Sequence, residues 1–147
     1  MKLVGKYRES NGTLIGGISE IGIIQIGKSK DDFFKNIKNE INSIISSDED
    51  SSKRDYKISN FDNYTFTIEF SELKSFSAFI FKAIRKNEKM SQAKIASKLD
   101  IVRASYSQYE EEKKEPTLGK FSEVLKAFGY DCEINIKKIS RLKTANF

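Results

Sequence analysis

Between Ser91 and Gly129 the chain reads SQAKIASKLDIVRASYSQYEEEKKEPTLGKFSEVLKAFG, and no other stretch limits the possible folds as strongly. Ile95, Ala96 and Leu99 fall on one face of a short helix, and a tight break follows at Asp100-Ile101. A second short helix from Arg103 to Glu111 turns Tyr106 and Tyr109 inward. Ala96 suits the crossing point, where a larger side chain would push the two helices apart. After a loop at Lys113-Lys114-Glu115, Thr117 can cap a third helix. Leu118, Phe121, Leu125 and Phe128 repeat along that helix until Gly129 ends it.

Two short helices joined by a 3–4-residue turn form a helix-turn-helix, whose second helix can enter the major groove of DNA. Here the residues resemble the Xre/Cro family of such domains. The likeness is carried by Ser91-Gln92, Ala96, Leu99, Ile101, the run from Arg103 to Glu110, and Pro116-Thr117-Leu118. Two positions depart from the pattern. Asp100 replaces the usual turn glycine, though Asp tolerates the left-handed conformation better than most residues. Val102 replaces a Ser or Thr cap, which weakens the start of the second helix by about 1 kcal/mol.

On this reading Arg103, in the first turn of the recognition helix, can grip a guanine edge with two hydrogen bonds, or else hold a phosphate. Gln108 can read adenine or touch backbone, Ala104 can meet a thymine methyl, and Ser105 can bond either way. Gln92 and Lys94 are candidate phosphate clamps, and Lys113, Lys114 and Thr117 can hold the same backbone. Glu110, Glu111 and Glu112 would repel DNA and are expected to face away as a solvated helix end.

Composition agrees. Residues 1–70 carry 10 basic and 11 acidic side chains and residues 71–147 carry 16 and 10, so the basic excess lies in the half with the motif. The chain has no histidine, which excludes Ser-His triads and histidine metal ligands. One cysteine, Cys132, cannot form an internal disulfide, and no apolar run approaches the roughly 20 residues of a membrane-spanning helix. A cytoplasmic, non-enzymatic protein with no cofactor and no metal is expected. An RNase H-type nuclease would need carboxylates converging on metal ions, one of them within the first strand, and KLVGKYR supplies none there. Asp48-Glu49-Asp50 falls in a loop and is expected to be solvated.

The first 70 residues read as an α+β unit. Lys2 to Arg8 and Thr13 to Ile18 are strands about a Ser10-Asn11-Gly12 turn, and Gly22 to Gly27 is a third. Ser29 caps a helix with Asp31 and Asp32 in its first turn and Phe33, Phe34, Ile37, Ile41, Ile44 and Ile45 on its apolar face. Ser46 to Ser59 has no periodic apolar face and reads as a loop. Asn63 to Phe70 alternates as a strand, with Tyr64, Phe66, Ile68 and Phe70 on one side. Leu73 to Lys86 then opens the second unit, residues 71–147, as a helix under the motif.

Gly12, Gly22 and Gly27, followed by Ser29, Asp31-Asp32, Phe33, Asn36, Ile37 and Ile41, resemble the HicB antitoxins of HicA–HicB toxin–antitoxin pairs. Departures are Ile21 where the family has a proline before Gly22, and Thr13 where it has an aromatic. The resemblance implies a partial RNase H-like domain that binds a HicA-like toxin and covers its RNA-cleaving site. Asp31, Asp32 and Glu40 are the acids placed to meet such a basic partner. A C-terminal helix-turn-helix commonly accompanies this domain.

Beyond Gly129, Tyr130 to Ile139 alternates Cys132, Ile134 and Ile136 with polar residues, as a final strand would. A lone strand needs a partner. Pairing with its copy across a two-fold axis makes Cys132, Ile134 and Ile136 dimerisation residues, and pairing back onto the N-terminal sheet is the alternative. The tail from Ser140 is basic. The expected function is a type II antitoxin that neutralises a HicA-like toxin and represses its own operon as a homodimer on an inverted-repeat operator. The alternative is an Xre-family repressor whose N-terminal domain senses a ligand.

Overall fold

The computed structural model describes residues 1–45, 55–61 and 63–139. Five strands, β1 (Lys2–Ser10), β2 (Thr13–Ile18), β3 (Ile23–Gly27), β4 (Lys57–Phe61) and β5 (Thr65–Glu69), form one sheet in the order β3-β2-β1-β5-β4. Every neighbouring pair is antiparallel. Asn11 (φ 51°) and Gly12 (φ 77°) make the left-handed two-residue turn between β1 and β2, which sets Ser10 opposite Thr13. Helix α1 (Lys30–Ile45) covers one face, with the Ser29 hydroxyl accepting from the Asp32 amide at 3.1 Å.

Alternation places Tyr7, Leu14, Ile18, Ile23, Phe66 and Ile68 under α1, where they meet buried Phe33, Ile37, Ile41 and Ile44. Gly5 lies opposite Phe66, and a side chain there would begin 2.1 Å from the Phe66 ring. The aromatic core of this layer therefore requires glycine at that strand position.

Four helices follow: α2 (Leu73–Asn87), α3 (Gln92–Lys98), α4 (Arg103–Glu110) and α5 (Leu118–Ala127). Asp55 starts α2 from a distance, its carboxylate accepting from the Glu72 amide at 3.0 Å and from the Ser71 hydroxyl. Helix α2 has apolar residues on most of its surface, as a helix packed on two sides requires. Phe79 stacks on Phe70 at the end of the sheet, while Phe81 meets Tyr106, Tyr109 and Phe121 of the motif helices. Lys86 pairs with Glu40 of α1 at 3.6 Å, and Asn87 packs against Gly22, whose φ of 76° disfavours a side chain and where a Cβ would fall 2.3 Å from the Asn87 Oδ1. The apolar core runs unbroken from the sheet through α2 to α5.

Three expectations need correction. Part of the expected loop is a strand, β4, which borders β5 with Ile58 opposite Ile68; residues 46–54, including Asp48-Glu49-Asp50, lie outside the described residues. The strand expected over Tyr130 to Ile139 does not form among the described residues, none of which supplies the ladder partner that an isolated strand lacks. Residues 131–139 are irregular, with Ile134, Ile136 and Ile139 exposed and Cys132 half-buried. Among the described residues the part after the sheet is thus four helices with an irregular end, and the tail from Ser140 lies outside them. The β5 strand is also shorter than Asn63 to Phe70: Asn63 (φ 69°) and Tyr64 (φ 60°) form a left-handed turn, and Tyr64 is exposed rather than inward.

Candidate nucleic-acid interface

Helices α3 and α4 are short because each is punctuated by local chemistry. Ser91 caps α3, its hydroxyl accepting from the Lys94 amide at 3.1 Å. Asp100 (φ 54°) takes the left-handed position that breaks α3 from α4. The Ile101 amide donates to the Ala96 carbonyl at 3.1 Å and closes the turn. Ala96 is buried at the crossing, as its small side chain requires. Thr117 caps α5 through its hydroxyl, which accepts from the Lys120 amide at 3.1 Å.

The rotation of α4 is fixed by what it buries. Tyr106, Tyr109 and Glu110 point inward, which leaves Arg103, Ala104 and Gln108 on the exposed face and Ser105 and Ser107 half-buried at its borders. Val102, Arg103, Ser97, Asp100 and Ala93 line a shallow concavity of about 440 Å³ between α3 and α4. Lys94 is exposed on α3, and Lys113 and Lys114 are exposed beyond α4. Lys113 pairs with Glu111, and the Lys114 ammonium lies 5.5 Å from the Tyr109 ring centre. Exposed cations of this kind are suited to phosphate contacts.

Glu110 corrects the expectation that all three acids face solvent. It is 1% exposed, and its carboxylate accepts from Arg85 at 2.7 and 2.8 Å, from the Tyr106 hydroxyl at 2.7 Å and from the Gln92 amide at 3.0 Å. Burial alone would raise its pKa, but the hydrogen bonds from Arg85, Gln92 and Tyr106 outweigh it and hold the carboxyl below its ordinary value. The same burial, beside a carboxylate, pushes the Tyr106 phenol up. Glu110 is thus the internal anchor of the recognition helix. The spacing of Tyr106, Tyr109 and Glu110, three and four residues apart, places all three on one face and is the signal that would have found it. Glu111 and Glu112 do face solvent.

Gln92 is half-buried with its amide directed at Glu110, so it braces α3 against α4. In the N-terminal unit Asp31 is exposed, the Asp32 carboxylate accepts from the Lys28 amide at 2.9 Å, and Glu40 is half-buried beside Lys86. Cations gather on the uncovered side of the sheet, where Lys2, Lys6, Arg8 and Lys57 are exposed.

Residues 81–135 match the helix-turn-helix family model, a span that takes in the second half of α2 and all of α3, α4 and α5. No curated protein matches the chain. The match falls on the helices whose geometry has just been described and supports a DNA-binding transcriptional regulator. Among the described residues no helix is long and apolar enough to cross a membrane.

Proposed function

We propose that the chain is a type II antitoxin that represses its own operon through α4 and neutralises a HicA-like toxin through residues 1–70. The observation that carries the reading is the junction at α2: one helix packs on the sheet unit and also supports a helix-turn-helix. A DNA-reading element and a second module on one shared helix fit a protein that holds a partner and an operator. The order of elements, three strands and a helix with Ser29, Asp31, Asp32 and Phe33 at its start, supports a HicB-like, partial RNase H-like identity for that module. Of the acids assigned to the toxin, Asp31 is the most available, since Asp32 and Glu40 already bond within the chain. Ile134 and Ile136, exposed beyond the half-buried Cys132, supply an alternating segment for the homodimer that an inverted repeat requires.

A second reading, a repressor that senses a small molecule, draws on one feature. A concavity of about 470 Å³ opens at the end of the β1–β2 hairpin, walled by Tyr7, Glu9, Lys28 and Tyr64. Its volume is within the range of ligand sites. Co-expression with the product of the adjacent gene separates the two. Co-purification and rescue of growth support the antitoxin. Operator binding with neither co-purification nor rescue would overturn it in favour of the sensor.

A further inference from the structure

We propose that α4 reads a thymine–guanine step and that Val102 selects the thymine, an inference that rests on the reading of α4 as a DNA-contacting helix. Val102 stands at the N-cap of α4 and its side chain makes no capping hydrogen bond. A hydroxyl there would accept from the first-turn amides and stabilise the helix. The backbone of Val102 is already committed, its carbonyl accepting from the Ser105 amide at 3.0 Å. Val102 is 68% exposed, so its branched apolar group is open to a partner.

The neighbours say what that group can meet. Tyr106, Tyr109 and Glu110 fix the rotation of α4, so Val102, Arg103 and Ala104 form one exposed run at the end of the helix that enters a groove first. An arginine between two apolar side chains fits one arrangement of base edges well. Guanine offers O6 and N7 to a guanidinium fork, and the only apolar group that the four common bases show in the major groove is the thymine methyl. When thymine precedes guanine on the same strand, its methyl lies over the edge that the guanidinium grips. Val102 then closes the apolar side of that contact. A hydroxyl in its place would favour the helix but lose the methyl.

The test uses the full chain and duplexes with a random core of about 24 base pairs, enough for two half-sites one helical turn apart. Successive rounds of binding should enrich half-sites containing thymine followed by guanine. In the selected duplex, deoxyuridine in place of that thymine removes only the methyl and should weaken binding about fourfold. Val102→Ser, which gains a cap and so remains folded, should bind the two duplexes equally. Selected sites without the step, equal binding of the thymine and deoxyuridine duplexes by the native chain, or full discrimination retained in Val102→Ser would each overturn the inference and leave DNA binding standing. Failure to enrich any sequence would overturn the DNA-binding reading, and this inference with it.

Discussion

Arg85 and Glu110 meet in a two-pronged ion pair, Nε to Oε1 at 2.7 Å and Nη2 to Oε2 at 2.8 Å, which ties the recognition helix to α2 from the inside. Glu110 has left water, so its charge depends on Arg85, Gln92 and Tyr106 for compensation. Arg85→Ala should therefore cost about 3–5 kcal/mol, since it strands a buried carboxylate. Replacing both partners, Arg85→Met with Glu110→Leu, should cost markedly less than Arg85→Ala alone. Urea denaturation of the single and double variants measures the difference. Equal losses would mean that the pair contributes packing and no electrostatic compensation.

The pair also sets a pH dependence. The folded Glu110 carboxyl lies below its ordinary value of 4.5, so the unfolded chain takes up the proton first as pH falls. The stabilisation is complete above the unfolded value and is lost as pH drops through the folded one. Thermal unfolding of the native chain and of Glu110→Gln should differ most near neutrality, and the gap should shrink below about pH 4.5. A gap that stays constant down to pH 2 would contradict the assignment.

Much of this molecule is legible in the residues, and the exceptions share physical causes. The α1 face and the Ser91 and Thr117 caps are local in origin, because periodicity and a single hydroxyl determine them. Glu110 escaped because it opens a run of three acids that looks solvated, and its charge is compensated by an arginine 25 residues away. The β4 strand escaped because a short edge strand has only Ile58 to mark its inner side, and its register comes from β5. Tyr130 to Ile139 carries a strand pattern without forming a strand, since pattern supplies the alternation and only a partner supplies the ladder.

Asp100 offers a smaller test of local strain. Its φ of 54° lies in the left-handed region, which a side chain occupies at a cost and glycine does not. Asp100→Gly should raise stability by about 0.5–1 kcal/mol, seen as a higher urea midpoint with unchanged slope. A loss of stability would show that the Asp100 side chain makes a contribution larger than the backbone cost.

Base reading and phosphate clamping separate by their sensitivity to sequence and salt. Arg103→Ala should cost about 1–3 kcal/mol on the selected operator and little on random duplexes. Lys94→Ala should weaken both alike and reduce the slope of log affinity against log salt by about one unit. Fluorescence anisotropy over a salt series gives both quantities. Equal losses on the two DNAs for Arg103→Ala would move Arg103 to the phosphate group of contacts.

The C-terminal segment makes the last prediction. Tyr130 is held by the chain, its hydroxyl donating to Glu88 at 2.7 Å and its amide to the Leu125 carbonyl at 2.9 Å, whereas Ile134 and Ile136 beyond it are 68% and 91% exposed. Among the described residues beyond Tyr130 only Cys132 packs against the core, so truncation after Tyr130 should change stability by no more than about 1 kcal/mol. If the alternating segment pairs with its copy, the truncated chain should sediment as a smaller species and lose operator affinity. Ile134→Asp with Ile136→Asp should do the same at full length, because charged side chains replace the apolar face on which two such strands would pack. Two recognition helices can engage half-sites about 34 Å apart only while something joins the chains. Should the truncated protein keep its size in sedimentation and its affinity for the operator, the dimer contact belongs to another surface and Cys132, Ile134 and Ile136 lose that role.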